Sequence, residues 1–149
     1  MELQSILKQV ELFRGLSDDQ LQQVAAITSK ELFEVGQIIF NQGEDGDKMY
    51  IVGNGQVEIK VQHRTGYTYS AVYLGEGQVF GEMALIDEST RSASVIGAQE
   101  DTIVYSISRE EFERLCTTDT ATGYLMMRNI AQDLSFKMRH RDFDPSDRA

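Results

Sequence analysis

The chain has 149 residues, 41% apolar and 26% charged, with a formal net charge of −10. This is the composition of a single globular domain with material for a core, not of a linker or a disordered tail. No apolar run approaches the roughly 18 residues that cross a bilayer. The opening Met1-Glu2-Leu3-Gln4 lacks a secretion signal and the glycine that myristoylation needs, so the expected location is the cytoplasm. Residues 1–120 hold 9 basic and 20 acidic side chains and residues 121–149 hold 5 and 4. Neither nucleic acid nor a membrane surface is therefore an expected partner, and any small anion must be held by a local positive site.

Residues 2–14 read as a short amphipathic helix with Leu3, Ile6, Leu7 and Val10 on one face, ended by Gly15. Ser17-Asp18-Asp19-Gln20 is a capping box, so a second helix is expected from about Asp18 to Ile27. From Lys30 to about Ile107 the pattern changes to short runs rich in Val, Ile and Tyr. These are Gln37–Phe40, Met49–Val52, Gln56–Val61, Tyr67–Leu74, Arg91–Ile96 and Thr102–Ile107, and ten of the twelve glycines fall among them. Asn54-Gly55 reads as a two-residue hairpin between the second and third runs. Regular short strands with turn glycines predict a β-barrel or jelly roll. Ser108-Arg109-Glu110-Glu111 is another capping box, and a longer helix is expected from about Asp119 to His140. Its Tyr124, Met127, Ala131, Leu134 and Met138 recur at spacings of 3, 4, 3 and 4, a heptad seam. Asp144-Pro145 ends the helix. The seam suits either packing on the chain's own roll or a homodimer through residues 119–140.

The chemistry is concentrated in Phe80-Gly81-Glu82-Met83-Ala84-Leu85-Ile86-Asp87-Glu88-Ser89-Thr90-Arg91-Ser92-Ala93-Ser94-Val95. Gly81 permits a sharp turn and close approach. Glu82 to Ile86 can form one helical turn whose free N–H groups face an anion. Arg91 can return a guanidinium to the same spot, where its planar fork suits phosphate oxygens. Ser92, Ala93 and Ser94 are small enough for the backbone to be approached. Glu82, a carboxylate beside an anion site, needs its own task, and accepting a sugar hydroxyl while pairing with a cation is one. The plain alternative for Arg91 is an ion pair with Glu82 or Asp87 in an empty roll.

This segment resembles the phosphate-binding cassette of cyclic nucleotide-binding domains, the family that includes catabolite activator proteins and protein kinase A regulatory subunits. The family pattern, F-G-E-x-A/G-L followed after a turn by R-S/T/A-A, is matched at every marked position. Gly43-Glu44-Asp45-Gly46-Asp47-Lys48-Met49-Tyr50-Ile51-Val52-Gly53-Asn54-Gly55-Gln56-Val57 is similar to the family's glycine-punctuated hairpin, and Leu12-Phe13 and Leu16-Ser17 to its entry, so the likeness spans about residues 10–140. It implies a mainly β fold with flanking α elements: N-terminal helices (1–28), a double-stranded β-helix or jelly roll (29–107) carrying the cassette at 80–95, C-terminal helices including one long helix (108–143), and a tail (144–149). It implies a ligand set of Gly81, Glu82, Met83, Ala84, Arg91, Ser92 and Ala93. Arg91 would meet the cyclic phosphate with the Ser92 hydroxyl and amides near Ala84 and Ala93. Glu82 would accept the ribose 2′-hydroxyl, and Gly81 would make room for the sugar. Ile59 and Val72 would line the base side. Lys137 and Met138 stand where catabolite activators place hydroxyls against adenine, with Arg139 and Arg141 nearby; these basic residues are also a simple complement to the helix dipole.

The resulting expectation is a non-enzymatic cytoplasmic receptor for a cyclic nucleotide, cAMP first and cGMP also compatible, with no cofactor. It would signal to a downstream protein that the sequence does not name, through movement of its C-terminal helix. The alternatives are a ligand-free dimeric scaffold of the same fold and the sensor part of a transcription regulator. No metal is expected: His63 and His140 sit on separate elements, and Glu44, Asp45 and Asp47 do not have calcium-loop spacing. Cys116 is alone, which excludes an internal disulfide, and reads as a packed thiol.

Overall fold

The computed structural model describes residues 2–140; Arg141, the Asp144-Pro145 stop and the tail lie outside the described residues. Helix α1 spans Glu2–Gln9, and the chain does not continue helically to residue 14 as expected. Val10 turns extended (φ −80°, ψ 119°) into a 3-10 turn at Glu11–Phe13. This break lets Ile6, Leu7, Val10, Leu12 and Phe13 all become buried, which one straight helix of this sequence could not do. Helix α2 (Asp18–Ala26) starts where its capping box predicts: Ser17 Oγ accepts the Gln20 N–H at 3.2 Å and Gln20 Oε1 accepts the Ser17 N–H at 2.9 Å.

Eight strands follow: β1 (Thr28–Phe33), β2 (Ile38–Phe40), β3 (Lys48–Asn54), β4 (Val57–Gln62), β5 (Thr68–Leu74), β6 (Val79–Phe80), β7 (Ser94–Gly97) and β8 (Thr102–Ser108). They form two antiparallel four-stranded sheets, ordered β1-β8-β3-β6 and β2-β7-β4-β5. That interleaving is a jelly roll, as expected. Asn54-Gly55 is not a hairpin between paired strands, however. β3 pairs with β6 and β8, while β4 pairs with β5 and β7. The dipeptide is a corner that passes the chain from one sheet to the other. Gly55 does hold the positive φ that Asn-Gly signals, +86°, but a Cβ there would stand 2.5 Å from Thr102 Oγ1. The turn chemistry specifies a backbone conformation, and the pairing partner is chosen elsewhere.

β3 is buried on both faces, which explains its unbroken apolar run. Tyr50 and Val52 join Phe33, Phe40, Val57, Phe80, Val95 and Val104 inside the roll. Met49 and Ile51 join a second cluster with Leu7, Phe13, Leu85, Ile107, Phe112 and Met126 beneath the helices. Helix α3 (Arg109–Thr118) is capped by Ser108, whose side chain accepts the Glu111 N–H at 3.1 Å. The reciprocal half of the expected box is replaced: Glu111 pairs with Arg114 instead. Helix α4 (Thr120–Arg139) is capped by Asp119. It turns Thr122, Gly123, Met126, Asn129 and Ile130 to the body. Gly123 lets α4 sit against α3, since a Cβ there would meet Cys116 Sγ at 2.8 Å. Burial, with Glu113 nearby, pushes the Cys116 thiol up, as befits a packed side chain. Asn129 Nδ2 donates to the Leu12 and Arg14 carbonyls at 2.8 and 2.9 Å, fixing α4 to the N-terminal turn. The heptad seam is divided: Tyr124, Met127 and Met138 are 63%, 43% and 78% exposed and Ala131 is exposed, while Leu134 is half-buried and packs against the second cluster.

Candidate functional site

Gly81 takes φ +74° and starts a 3-10 turn over Glu82–Leu85, a backbone state that glycine adopts at little cost. The Ala84 N–H closes this turn on the Gly81 carbonyl at 3.1 Å, so that amide is committed within the turn. The first N–H groups of the turn, at Glu82 and Met83, are the ones that geometry leaves without an intrahelical acceptor. Buried Ala84 and Leu85 anchor the turn to the body. After an exposed stretch at Asp87–Thr90, the chain is locked at residue 91. The Arg91 N–H donates to the Glu44 carbonyl at 2.7 Å and the Arg91 carbonyl accepts the Gly43 N–H at 2.9 Å.

These backbone bonds place the Arg91 side chain in the interior, where the residue is 8% exposed. Nη2 donates to the Lys48 carbonyl at 2.8 Å and Nη1 approaches the Gly81 carbonyl at 3.4 Å. The guanidinium carbon lies 4.0 Å from the centroid of the Phe40 ring, a cation–π contact. Two glycines leave the space it fills. A Cβ on Gly81 would stand 2.6 Å from Nη1, and one on Gly46 would stand 2.8 Å from Nε and 2.9 Å from Cζ. The room at Gly81, which the resemblance assigns to a sugar, is occupied in this structure by the guanidinium. Nε is buried and has no hydrogen-bond partner among the described residues. Neither carboxylate suggested as an internal partner reaches Arg91: Glu82 pairs with Lys137, and the Asp87 carboxylate accepts the Ser89 hydroxyl at 2.7 Å. Burial lowers the Arg91 pKa from its ordinary value, against the pull of Tyr50, Asp47 and Glu44. A guanidinium stays charged through such a shift at neutral pH.

Beside Arg91 opens a cavity of about 480 Å³, within the range of small-ligand sites. Its far wall is apolar, built from Ile59, Val72, Leu74 and Val79. At the rim Lys137 reaches in from α4, with Nζ 3.7 Å from Glu82 and 3.2 Å from Asp133. Burial pulls the Lys137 ammonium down, but Glu82 and Asp133 outweigh it, and its pKa is raised overall. The cavity lining therefore combines a cation that makes no ion pair among the described residues, an apolar group of side chains, and a carboxylate–ammonium pair.

Gly81, Glu82, Met83, Ala84, Arg91, Ser92, Ala93, Ile59, Val72 and Lys137, all singled out from the sequence, line this one cavity. Arg139 does not: its Nη1 donates to Ser135 Oγ at 3.2 Å, and it borders a separate groove with Arg14 and Phe136. Sequence reasoning missed Phe40, which underlies the guanidinium, and Gly46, which makes room for it. Gly46 stood in view in the Gly-Glu-Asp-Gly-Asp turn, but nothing local tied it to a residue 45 positions later. Arg109 was read only as part of a cap. It donates from Nη1 to the carbonyls of Ala84 (2.9 Å), Gly46 (3.0 Å) and Asp87 (3.0 Å).

Comparison with known proteins places the chain in a family. Residues 30–119 match the family model described as the cyclic nucleotide-binding domain. The chain is 33% identical over 133 residues to the cyclic AMP receptor protein of Thermus thermophilus, covering 89% of this chain and 59% of that protein. It is 32% identical over 116 residues to a cGMP-dependent protein kinase of Caenorhabditis elegans, covering 76% of this chain and 15% of the kinase. The crystal structure of the Thermus thermophilus catabolite activator protein superposes with a TM-score of 0.78 at 32% identity, over 87% of this chain and 58% of that one. The chain thus spans well under two thirds of the length of these relatives, and the matched part is the region built here around Arg91. It belongs to the cyclic nucleotide-binding domain family.

Proposed function

We propose that this chain is a non-enzymatic cytoplasmic receptor module for a cyclic nucleotide, with cAMP as its first ligand, that signals through its C-terminal helix. The observation that carries the reading is Arg91: a buried guanidinium that, among the described residues, has no carboxylate in an ion pair and has an unpaired Nε, in the lining of a nucleotide-sized cavity. Carbonyls and a ring face hold it in place, and Glu44 and Asp47 act on it without forming an ion pair, so a bound anion supplies the contact partner that the fold omits. The cyclic phosphate binds there, with the Ser92 hydroxyl alongside. Glu82 accepts the ribose 2′-hydroxyl while keeping Lys137 as its cation. The base lies on Ile59, Val72 and Leu74. Binding draws the cassette inward and shifts the population toward α4 closed over the base. That alters the surface offered by the exposed Tyr124–Met138 seam to a second copy through residues 119–140, and then to a downstream protein.

The test pairs a thermal-shift series with titration calorimetry. cAMP raises the melting temperature of the wild-type protein, and cGMP does so to a measurable degree. Arg91→Ala loses about 3–5 kcal/mol of binding, roughly 10²–10³-fold or more, because a buried phosphate loses its charge partner. Unchanged affinity in that variant removes Arg91 from the site. The seam's exposure favours one second reading, a dimeric scaffold that uses no ligand; absence of any shift with either nucleotide selects it. The coverage of 59% of a receptor protein is what the sensor part of a transcription regulator would also show, and such a protein would carry the same site.

A further inference from the structure

The Arg109 side chain is used by neither the cavity nor the α3 cap, yet it is only 20% exposed and bonded to the body of the protein. One nitrogen, Nη1, faces three carbonyls: Ala84 in the cassette turn, Asp87 just after it, and Gly46 in the loop that packs on Arg91. Nη2 lies 3.8 Å from Glu88, on the same segment. The Arg109 backbone N–H donates to the Asp47 carbonyl at 2.8 Å. Arg109 is also the first residue of α3, which packs on α4 through Cys116 and Gly123. One side chain therefore grips both walls that enclose Arg91 from the root of the helical pair. Leu85 also joins the cassette to Phe112 of α3, inside the apolar cluster. Apolar contacts permit sliding, whereas the charge-assisted bonds of one guanidinium nitrogen, shared among three carbonyls, resist it.

We infer that Arg109 is the positioning residue that couples the cassette to α3 and α4, so that ligand-driven movement of the cassette is passed to the long helix through its guanidinium–carbonyl bonds. This rests on the receptor reading above. The test is hydrogen exchange followed by mass spectrometry, with and without cAMP, on the wild type, Arg109→Met and Arg109→Lys. In the wild type, cAMP slows exchange both in residues 81–91 and in residues 120–140. In Arg109→Met the slowing at 81–91 persists and affinity stays within about tenfold of wild type, but the change at 120–140 is lost; Arg109→Lys regains part of it. A full α4 response in Arg109→Met overturns the inference. So does loss of protection at 81–91 in a variant that melts like the wild type, since Arg109 would then belong to the binding site. If Arg109→Met does not fold, Arg109→Lys is judged alone: a reduced α4 response supports the coupling and a full one overturns it. A wild type that binds cAMP at the cassette with no α4 response also overturns it. A wild type protected by neither cAMP nor cGMP defeats the receptor reading itself, which is a distinguishable failure.

Discussion

Gly46→Ala separates the site from the fold more cleanly than any change to a charged residue. Gly46 has no positive φ, so alanine is acceptable to the backbone. The added methyl would stand 2.8 Å from Arg91 Nε and 2.9 Å from Cζ, against an ordinary contact of about 3.5 Å, so the guanidinium must retreat by about 0.6 Å. Any retreat disturbs the contacts that position it. Phe40 bounds it at 4.0 Å and the Lys48 carbonyl holds it at 2.8 Å. Giving up one charge-assisted bond costs about 1.5–3 kcal/mol. We therefore expect Gly46→Ala to weaken cAMP binding about 10- to 100-fold, with a native far-ultraviolet spectrum and cooperative melting. Calorimetry on the purified variant measures this, and Arg91→Ala in the same series gives the value for complete removal of the cation. If Gly46→Ala binds within about threefold of wild type, the guanidinium is not confined as the distances indicate.

Glu82→Gln keeps the shape of the side chain and removes its charge. Affinity for cAMP falls less than in Arg91→Ala, and the preference for cAMP over 2′-deoxy-cAMP shrinks; equal losses for both nucleotides would show that Glu82 does not read the sugar. Tyr50, stacked on Phe80 with centroids 5.0 Å apart, has a pKa pushed up from 10.0 to about 12 by burial, with Glu31 adding and Arg91 opposing. Because the folded value is the higher one, the stabilisation is fully present below about pH 10 and lost as pH rises through about 12. It amounts to roughly 2–3 kcal/mol. Tyr50→Phe should flatten that part of the alkaline stability curve in urea titrations, and an identical curve would place the lost stability in other groups.

Much of this molecule could be read from the sequence where the relevant signal is local. Ser17 and Ser108 announced helix starts because a hydroxyl three residues before a free N–H is a local arrangement. Glycines marked turns for the same reason. β1 escaped notice because it exposes much of its length and carries polar Thr28, Ser29, Lys30 and Glu31, leaving no alternation to detect. β6 is two residues long and has no period at all. The cassette residues were legible as a run, but their supports were not. Gly46 serves Arg91 by lacking a side chain. Arg109 serves the cassette by binding carbonyls, which every residue has, so neither partnership leaves a trace in the identity of its targets. Arg139 was misplaced because proximity to Lys137 in sequence does not fix a helical face: two residues along, a side chain points some 200° away.

On the proposed reading, the arrangement also answers how an acidic protein would present an anion site. Twenty-four carboxylates would ordinarily supply a partner for any buried arginine. Here the positions around Arg91 are two glycines, a phenylalanine ring and backbone carbonyls. These satisfy or cushion the guanidinium, and Glu44 and Asp47 act on it without forming an ion pair. Glu82, the carboxylate that shares the cavity, is balanced by Lys137. At about 4 Å and an effective dielectric near 20, one unpaired charge attracts a phosphate by about 4 kcal/mol. Surface acids more than about 10 Å away are screened by salt to a small fraction of that. The local cation therefore wins over the global field, and it does so because glycine at 46 and 81 keeps side chains out of its niche.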